Sequence, residues 1–282
     1  MYKIIDGKAH SAAIRQEIKL KCEEFKAQTG REIGLAVVLV GNNPASQVYV
    51  RNKIKGCEEV GIKSFAYYLP EEAKQSEVEE LIKDLVENDA VNGILVQLPL
   101  PSHIDSAKVL KLIPKSKDVD GFCEENIGSL CMKEECLVAC TPNGVMKMLE
   151  REGISVKGKN AVVVGRSNIV GKPMAMLLLN ADATVTVCHS KTSDLAKICS
   201  SADILVAAIG RAKFIKADMV RQGAVVIDVG MNRDENGKLC GDVDFENVKE
   251  KCSFITPVPG GVGPMTITML LYNTLIAAQR SL

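Results

Sequence analysis

Ala161-Val-Val-Val-Gly-Arg-Ser-Asn-Ile-Val-Gly-Lys-Pro173 decides the fold class. Its four leading apolar residues suit a strand buried on both faces of a parallel sheet. Gly165 ends that run, Gly171 follows, and Pro173 introduces the apolar stretch Met174-Ala-Met-Leu-Leu-Leu179, so the segment predicts strand, tight turn and helix. Backbone N–H groups at such a helix start face whatever lies above the strand end, and a phosphate suits them. The middle glycine of the G-x-G-x-x-G dinucleotide fingerprint is missing. From these residues alone, a nucleotide site and an ordinary βα turn both stay open.

The same alternation extends outward in both directions. After the Ala161 strand, apolar runs at Thr184–Cys188, Ile204–Ile209 and Ala224–Val229 each follow a helical segment, and Phe254-Ile255 offers a short sixth strand. Before it, helical spacing over residues 8–28 leads to strands at Leu35–Val40, Ser64–Leu69 and Gly93–Leu98. Ser46 and Ser76 are the expected caps of the intervening helices. A short helix is expected at 104–112, and another from Thr141, with Pro142 in its first turn. Pro257–Pro264 is too rich in glycine and proline for regular structure, and Thr266 is expected to begin a last apolar helix. The βαβα order predicts an α/β protein of two α/β domains, the second a Rossmann-like parallel-sheet dinucleotide-binding domain. The expected limits are 1–140 and 141–264.

Composition removes several functional classes. Thirty-five Lys and Arg balance thirty-five Asp and Glu over 282 residues, which argues against a nucleic-acid footprint or a polybasic membrane arm. No run approaches the roughly 18 apolar residues of a membrane span, and Met1-Tyr-Lys-Ile-Ile-Asp-Gly7 has no signal-peptide character. The ten cysteines form no C-x-x-C pair, and Cys57, Cys188 and Cys199 fall in apolar patterns. They are expected to be reduced cytoplasmic thiols serving as small core residues. His10, His103 and His189 lack ligand spacing, so no metal is expected.

Several positions stand out as candidates for chemistry. Tyr49 and Lys53 share one helical face; a lysine serves as acid or base only where burial or a cation lowers its pKa, and a solvated lysine beside a half-buried tyrosine is the plainer alternative. Gln97 interrupts an apolar strand run, either as a structural hydrogen-bonder or as a group facing a site at the strand end. Asp118 and Asp120 flank Val119 just before Gly121, where either could cap a turn or accept two N–H groups from a flat heterocycle. In the later domain, His189-Ser190-Lys191 ends the strand after the glycine turn, where an NAD site would place an acid. With Arg166 in the turn and no acid nearby, a dinucleotide bound here would be NADP. Asp228 is expected to cap a loop.

Together these pieces resemble the methylenetetrahydrofolate dehydrogenase/cyclohydrolase family over nearly the whole chain. The matching strings are Tyr49-Val-Arg-Asn-Lys53, Gly93-Ile-Leu-Val-Gln-Leu-Pro-Leu-Pro101, Lys117-Asp-Val-Asp-Gly-Phe122, Thr141-Pro-Asn-Gly144, Val164–Pro173, Cys188-His-Ser-Lys-Thr192 and Pro257-Val-Pro-Gly-Gly-Val-Gly-Pro-Met-Thr266. Their number and order make the match specific. The resemblance implies that Lys53 is the catalytic lysine, assisted by Tyr49 and Gln97, and that Asp120 holds the pterin ring. It implies NADP contacts at Gly165, Arg166, Ser167 and Ser190, and at Met231, where the family usually has isoleucine. It places folate against Val96, Gln97 and Leu98 and under the loop Pro259, Gly260, Gly261, Val262 and Gly263. It further implies a cleft between the domains, return of the helix 265–282 to the first domain, a homodimer and a cytoplasmic enzyme. The expected reaction is NADP-dependent oxidation of methylenetetrahydrofolate to the methenyl form, followed by hydrolysis to 10-formyltetrahydrofolate. An NADP dehydrogenase for another metabolite would not need Asp120 or Gln97, and a non-catalytic NADP sensor would not need Tyr49 and Lys53.

Overall fold

A computed structural model describes residues 1–282. In chain order the elements are β1 (Lys3–Ile4), α1 (Gly7–Thr29), β2 (Gly34–Val40), α2 (Pro44–Val60), β3 (Lys63–Leu69), α3 (Gln75–Glu87), β4 (Gly93–Val96), α4 (Ser106–Lys111), α5 (Glu124–Cys131) and α6 (Cys140–Arg151). They continue as β5 (Asn160–Val164), α7 (Gly171–Asn180), β6 (Thr184–Cys188), α8 (Leu195–Cys199), β7 (Ile204–Ala207), β8 (Ala224–Asp228), β9 (Asn232–Arg233), β10 (Leu239–Cys240), α9 (Phe245–Val248), β11 (Cys252–Ile255) and α10 (Val262–Arg280). The chain packs as two compact units, Met1–Ala12 with Thr141–Thr266, and Ala13–Cys140 with Ile267–Leu282.

In the first unit, six parallel strands lie in the order β1-β11-β8-β7-β5-β6. The chain runs from β5 to β6 on one side, then returns past β5 to β7 on the other, creating a topological switch point at the carboxyl end of β5. The inner strands are sealed: β7 and β8 are buried throughout, as is β5 after its first residue. That is why their sequences read as unbroken apolar runs rather than alternation. Residues 1–12 belong here, not with 13–140, because Lys3 and Ile4 of β1 pair with Phe254 and Ile255 of β11. Two residues carry too little pattern to announce a strand.

In the second unit, β3-β2-β4 form a three-stranded parallel sheet. Central β2 is wholly buried, whereas edge β3 alternates in exposure. Val38, Val96, Ile82 and Val78 pack in one apolar cluster beneath α3. Burial pushes the Cys57 thiol, and that of Cys199 in the first unit, up to about 12, so both remain neutral and act as small apolar side chains. No helix is long and apolar enough to cross a membrane.

Several local expectations are corrected. Asn43, not Ser46, caps α2: its Oδ1 accepts from the backbone N–H groups of Ala45 (3.0 Å) and Ser46 (3.1 Å). Pro44 occupies the first turn, where a missing N–H costs nothing. Ser76 does not cap α3, which begins one residue earlier; Glu77 instead accepts from the Lys74 N–H at 2.6 Å. Strand β4 stops at Val96, so Gln97 and Leu98 lie beyond it, and β7 stops at Ala207. Helix α10 starts at Val262 rather than Thr266, since Gly263 and Pro264 fit a first turn whose N–H groups lack helical partners. Helix α5 and the β9–β10 hairpin are not foreseen from sequence; both are short and weakly patterned.

Candidate active site

In the second unit the carboxyl ends of β2 and β4 meet α2. Tyr49 and Lys53 stand one turn apart on α2, Tyr49 38% exposed and Lys53 half-buried. The Lys53 ammonium donates to Gln97 Oε1 at 2.9 Å. Gln97 itself is held twice: its backbone N–H donates to the Val38 carbonyl at 2.8 Å, and its Nε2 donates to the Leu98 carbonyl at 2.7 Å. With its amide nitrogen engaged, the side chain can present only its oxygen to Lys53. The interruption in the apolar run is therefore a lysine partner at the strand end. Val96 is buried in the apolar cluster below, and the Leu98–Pro99 peptide is cis.

The two aspartates have separate tasks. Asp118 is buried and binds its own loop, accepting from the N–H groups of Gly121 (3.2 Å) and Cys123 (2.8 Å) and from Asn126 Nδ2 (3.0 Å). Lys117 turns away to cap the carboxyl end of α3, donating to Val86 O at 2.7 Å and Asn88 O at 3.0 Å. Gly121 adopts φ +73°, and a Cβ there would lie 2.5 Å from Ala139 N, so the tight turn requires glycine. Asp120 is left as a half-buried carboxyl within the field of Lys53. Burial pushes it up to about 6; the Lys53 ammonium opposes the rise and Asp118 adds to it.

A carboxyl raised in the fold stabilises the fold only while protonated. Unfolded Asp titrates near pH ~3.9, so this contribution is complete below that value and is lost as pH rises through about 6. Asp120→Asn removes the cost of the buried charge. We expect the variant to melt a few degrees higher than the parent at pH 8, with the gap closing as pH falls from 6 towards 4. Thermal melts across that range measure it, and a variant melting lower at pH 8 would contradict the assignment.

In the first unit, Gly165 sits at the switch point with φ +134°; a Cβ would lie 2.2 Å from the Ala208 carbonyl oxygen. A Cβ on Gly171 would lie 2.2 Å from the Gly165 carbonyl oxygen. The two glycines thus close directly on one another, which gives the turn its tightness without a middle glycine. Ser167 Oγ accepts from the N–H groups of Val170 (3.2 Å) and Gly171 (3.3 Å) and so holds the turn that leads into α7. Gly165 N–H donates to the Cys188 carbonyl at 2.9 Å, which fixes the turn to the end of β6. There Thr192 accepts from His189 N–H at 2.8 Å, and His189 Nδ1 accepts from Lys191 N–H at 3.2 Å, folding a compact turn around Ser190. Arg166, Ser190 and Lys191 are exposed, with no acid among them. A helix start, glycines that admit close backbone approach and a basic rim fit a dinucleotide carrying a 2′-phosphate.

The remaining candidates divide. Met231 is 51% exposed, and its Cε lies 3.3 Å from where a Cβ on Gly263 would stand. Pro259, Gly260 and Gly261 form a loop with a cis Val258–Pro259 peptide, whereas Val262 and Gly263 belong to the first turn of α10. The loop is bound to the N-terminal residues: Lys8 N–H donates to Gly260 O at 3.2 Å, and a Cβ on Gly7 would meet Gly261 O at 1.8 Å. Asp228 does cap a loop, accepting from Gly230, Asp242 and Val243 N–H groups at 3.0, 2.9 and 2.9 Å. Burial pushes its carboxyl up to about 7, against those donors. Asp242, not singled out in the sequence, fixes the loop after β7 by accepting from Ile209, Gly210 and Arg211 N–H groups. Asn126 and Thr192 also escape sequence reading, since neither interrupts an apolar strand as Gln97 does.

Two family models match the chain. Tetrahydrofolate dehydrogenase/cyclohydrolase, catalytic domain, matches residues 5–120, and the NAD(P)-binding domain of the same name matches residues 139–282. Bifunctional protein FolD of Campylobacter concisus is 59% identical over 98% of this chain and 98% of its own length. A crystal structure of the bifunctional FolD methylenetetrahydrofolate dehydrogenase/cyclohydrolase from Campylobacter jejuni superposes with a TM-score of 0.98, at 53% identity and 100% coverage of both chains. That of the Trypanosoma brucei enzyme, complexed with NADP cofactor and inhibitor, gives 0.95 at 40% identity, covering 99% of this chain and 98% of that one.

Proposed function

Because the chain belongs to the tetrahydrofolate dehydrogenase/cyclohydrolase family, we propose that it oxidises 5,10-methylenetetrahydrofolate with NADP and hydrolyses the methenyl product to 10-formyltetrahydrofolate. The observation that carries this reading is the Lys53–Gln97 hydrogen bond, set in one unit with Asp120. When bound, NADP supplies the hydride acceptor. Gly165 and Gly171 let the backbone approach its diphosphate, Ser167 holds the turn, and Arg166 and Ser190 receive the 2′-phosphate. Met231 lines the cofactor through its backbone, so its departure from isoleucine is tolerated. The folds around residues 13–140 and 141–266 take the folate and NADP roles respectively.

On the folate side, Asp120 accepts from two N–H groups of the pterin ring, and Tyr49 covers the ring face. Val96, Gln97 and Leu98 contribute the wall at the end of β4. Oxidation needs positioning rather than a base, because a hydride leaves with its electron pair and the remaining methenyl cation is resonance-stabilised. Hydrolysis does need proton transfer: water adds to the cation and must lose a proton, and one ring nitrogen must gain one as its C–N bond breaks. Beside the methenyl cation Lys53 acts as a free amine that takes the proton from the water, and the ammonium so formed returns it to the ring nitrogen, with Gln97 holding the side chain in place.

The direct test mixes purified protein with methylenetetrahydrofolate and NADP and follows reduced cofactor by absorbance, then follows decay of the methenyl product. Reduced cofactor without methenyl decay would leave only the dehydrogenase reading, and neither signal would overturn both. A homodimer in the cytoplasm completes the proposal; sedimentation of the purified chain at micromolar concentration reads its first half.

A further inference from the structure

One buried amide near this loop has no part in the reaction as described. Asn273 is 2% exposed within the apolar stretch Met269-Leu-Leu-Tyr-Asn-Thr-Leu275 of α10. Its Nδ2 donates both protons, one to the Val119 carbonyl and one to the Val138 carbonyl, each at 2.8 Å. Cys140 Sγ donates to the same Val119 oxygen at 3.3 Å. Val119 immediately precedes Asp120. Val138 lies in the segment against which Gly121 packs, where a Cβ on Gly121 would stand 2.6 Å from the Val138 carbonyl carbon. Asn273 therefore joins the two backbone segments on either side of the Asp120 turn.

Apart from the charge of Lys53, nothing holds the Asp120 carboxylate directly. Asp118 anchors the outgoing chain at Gly121 and Cys123, and Asn126 links Asp118 to the Leu137 N–H, accepted by its Oδ1 at 3.1 Å. None of these bonds touches the Asp120 carboxylate, so the direction in which it leaves the chain is set by the backbone at Val119 and Gly121, with only the charge of Lys53 acting on it from outside the loop. On the Val119 side, the strongest donor is Asn273. We propose that Asn273 is a positioning residue for the folate-binding carboxylate, its two N–H groups clamping Val119 to Val138 so that Asp120 meets the flat ring in line. The proposal rests on the reading of Asp120 given above. A carboxylate accepting two N–H groups from a planar ring tolerates little misalignment, and a displacement of about 1 Å can cost about 100-fold.

The test is a double-mutant cycle on the full chain using Asn273→Ala and Asp120→Asn. Asn273→Ala raises the KM for methylenetetrahydrofolate by at least about 10-fold, leaves the KM for NADP unchanged, and adds no further increase in the Asp120→Asn background. Asn273→Ser, which keeps one hydroxyl donor, recovers part of the loss. An unchanged folate KM for Asn273→Ala, or increases that multiply with those of Asp120→Asn, would overturn the proposal, as would parallel changes in both KM values. If Asp120→Asn alone leaves the folate KM unchanged, the reading of Asp120 itself has failed. Failure of both Asn273 variants to fold also counts against a positioning role, since that role leaves the fold intact.

Discussion

Lys53→Met is expected to stop hydrolysis of the methenyl product while leaving the protein folded and able to reduce NADP. Methionine matches the length of the lysine stem but cannot move a proton or donate to Gln97 Oε1, the bond that holds Lys53 at 2.9 Å. General acid–base catalysis contributes about 10²–10⁴-fold, so cyclohydrolase activity falls by at least about 100-fold. Hydride transfer needs no base, so absorbance from reduced cofactor continues and methenyltetrahydrofolate accumulates. The half-buried stem keeps its packing, and the melting temperature stays within a few degrees of the parent. Undiminished hydrolysis by a well-folded variant would remove Lys53 from the chemistry. Equal loss of both activities would instead make it a binding group.

Arg166→Ala is the second large effect, and it discriminates between cofactors. Arg166 is exposed in the turn after β5, beside the end of β6 that carries Ser190. A guanidinium hydrogen-bonded to a phosphate contributes about 1.5–3 kcal/mol, or about 10–100-fold in affinity. The KM for NADP is expected to rise by that factor, whereas the KM for NAD, which lacks the 2′-phosphate, changes less than about 3-fold. The interaction is at the surface, so the preference for NADP should also shrink as salt is raised. Equal losses for both cofactors would place Arg166 on the diphosphate or in the fold.

Legibility varied with how local each cause was. The inner strands could be read because parallel strands covered on both faces leave an unbroken apolar trace, as Val162 to Val164 and Leu205 to Ala207 do. Gln97 could be noticed because a lone amide in such a trace demands partners. Its partner could not be named, since Lys53 is 44 residues away and only the packing of α2 onto the sheet makes the 2.9 Å contact. Strand β1 and the β9–β10 hairpin were hidden because two-residue strands have no period to detect.

The amino-acid sequence by itself determined the α/β alternation, the glycine turn at Gly165 and Gly171, and the family, because these rest on local pattern and on the order of short strings along the chain. Residue pattern alone left Asp118 and Asp120 equivalent, two carboxylates in one short loop, and the resemblance to the family chose Asp120 without a physical reason. Only the tertiary structure supplied that reason. Asp118 is consumed by Gly121, Cys123 and Asn126, whereas Asp120 is turned into the field of Lys53 and held up to about 6 by burial. The difference comes from packing: Asn126 folds back onto Asp118, and Lys53, far earlier in the chain, comes to face Asp120.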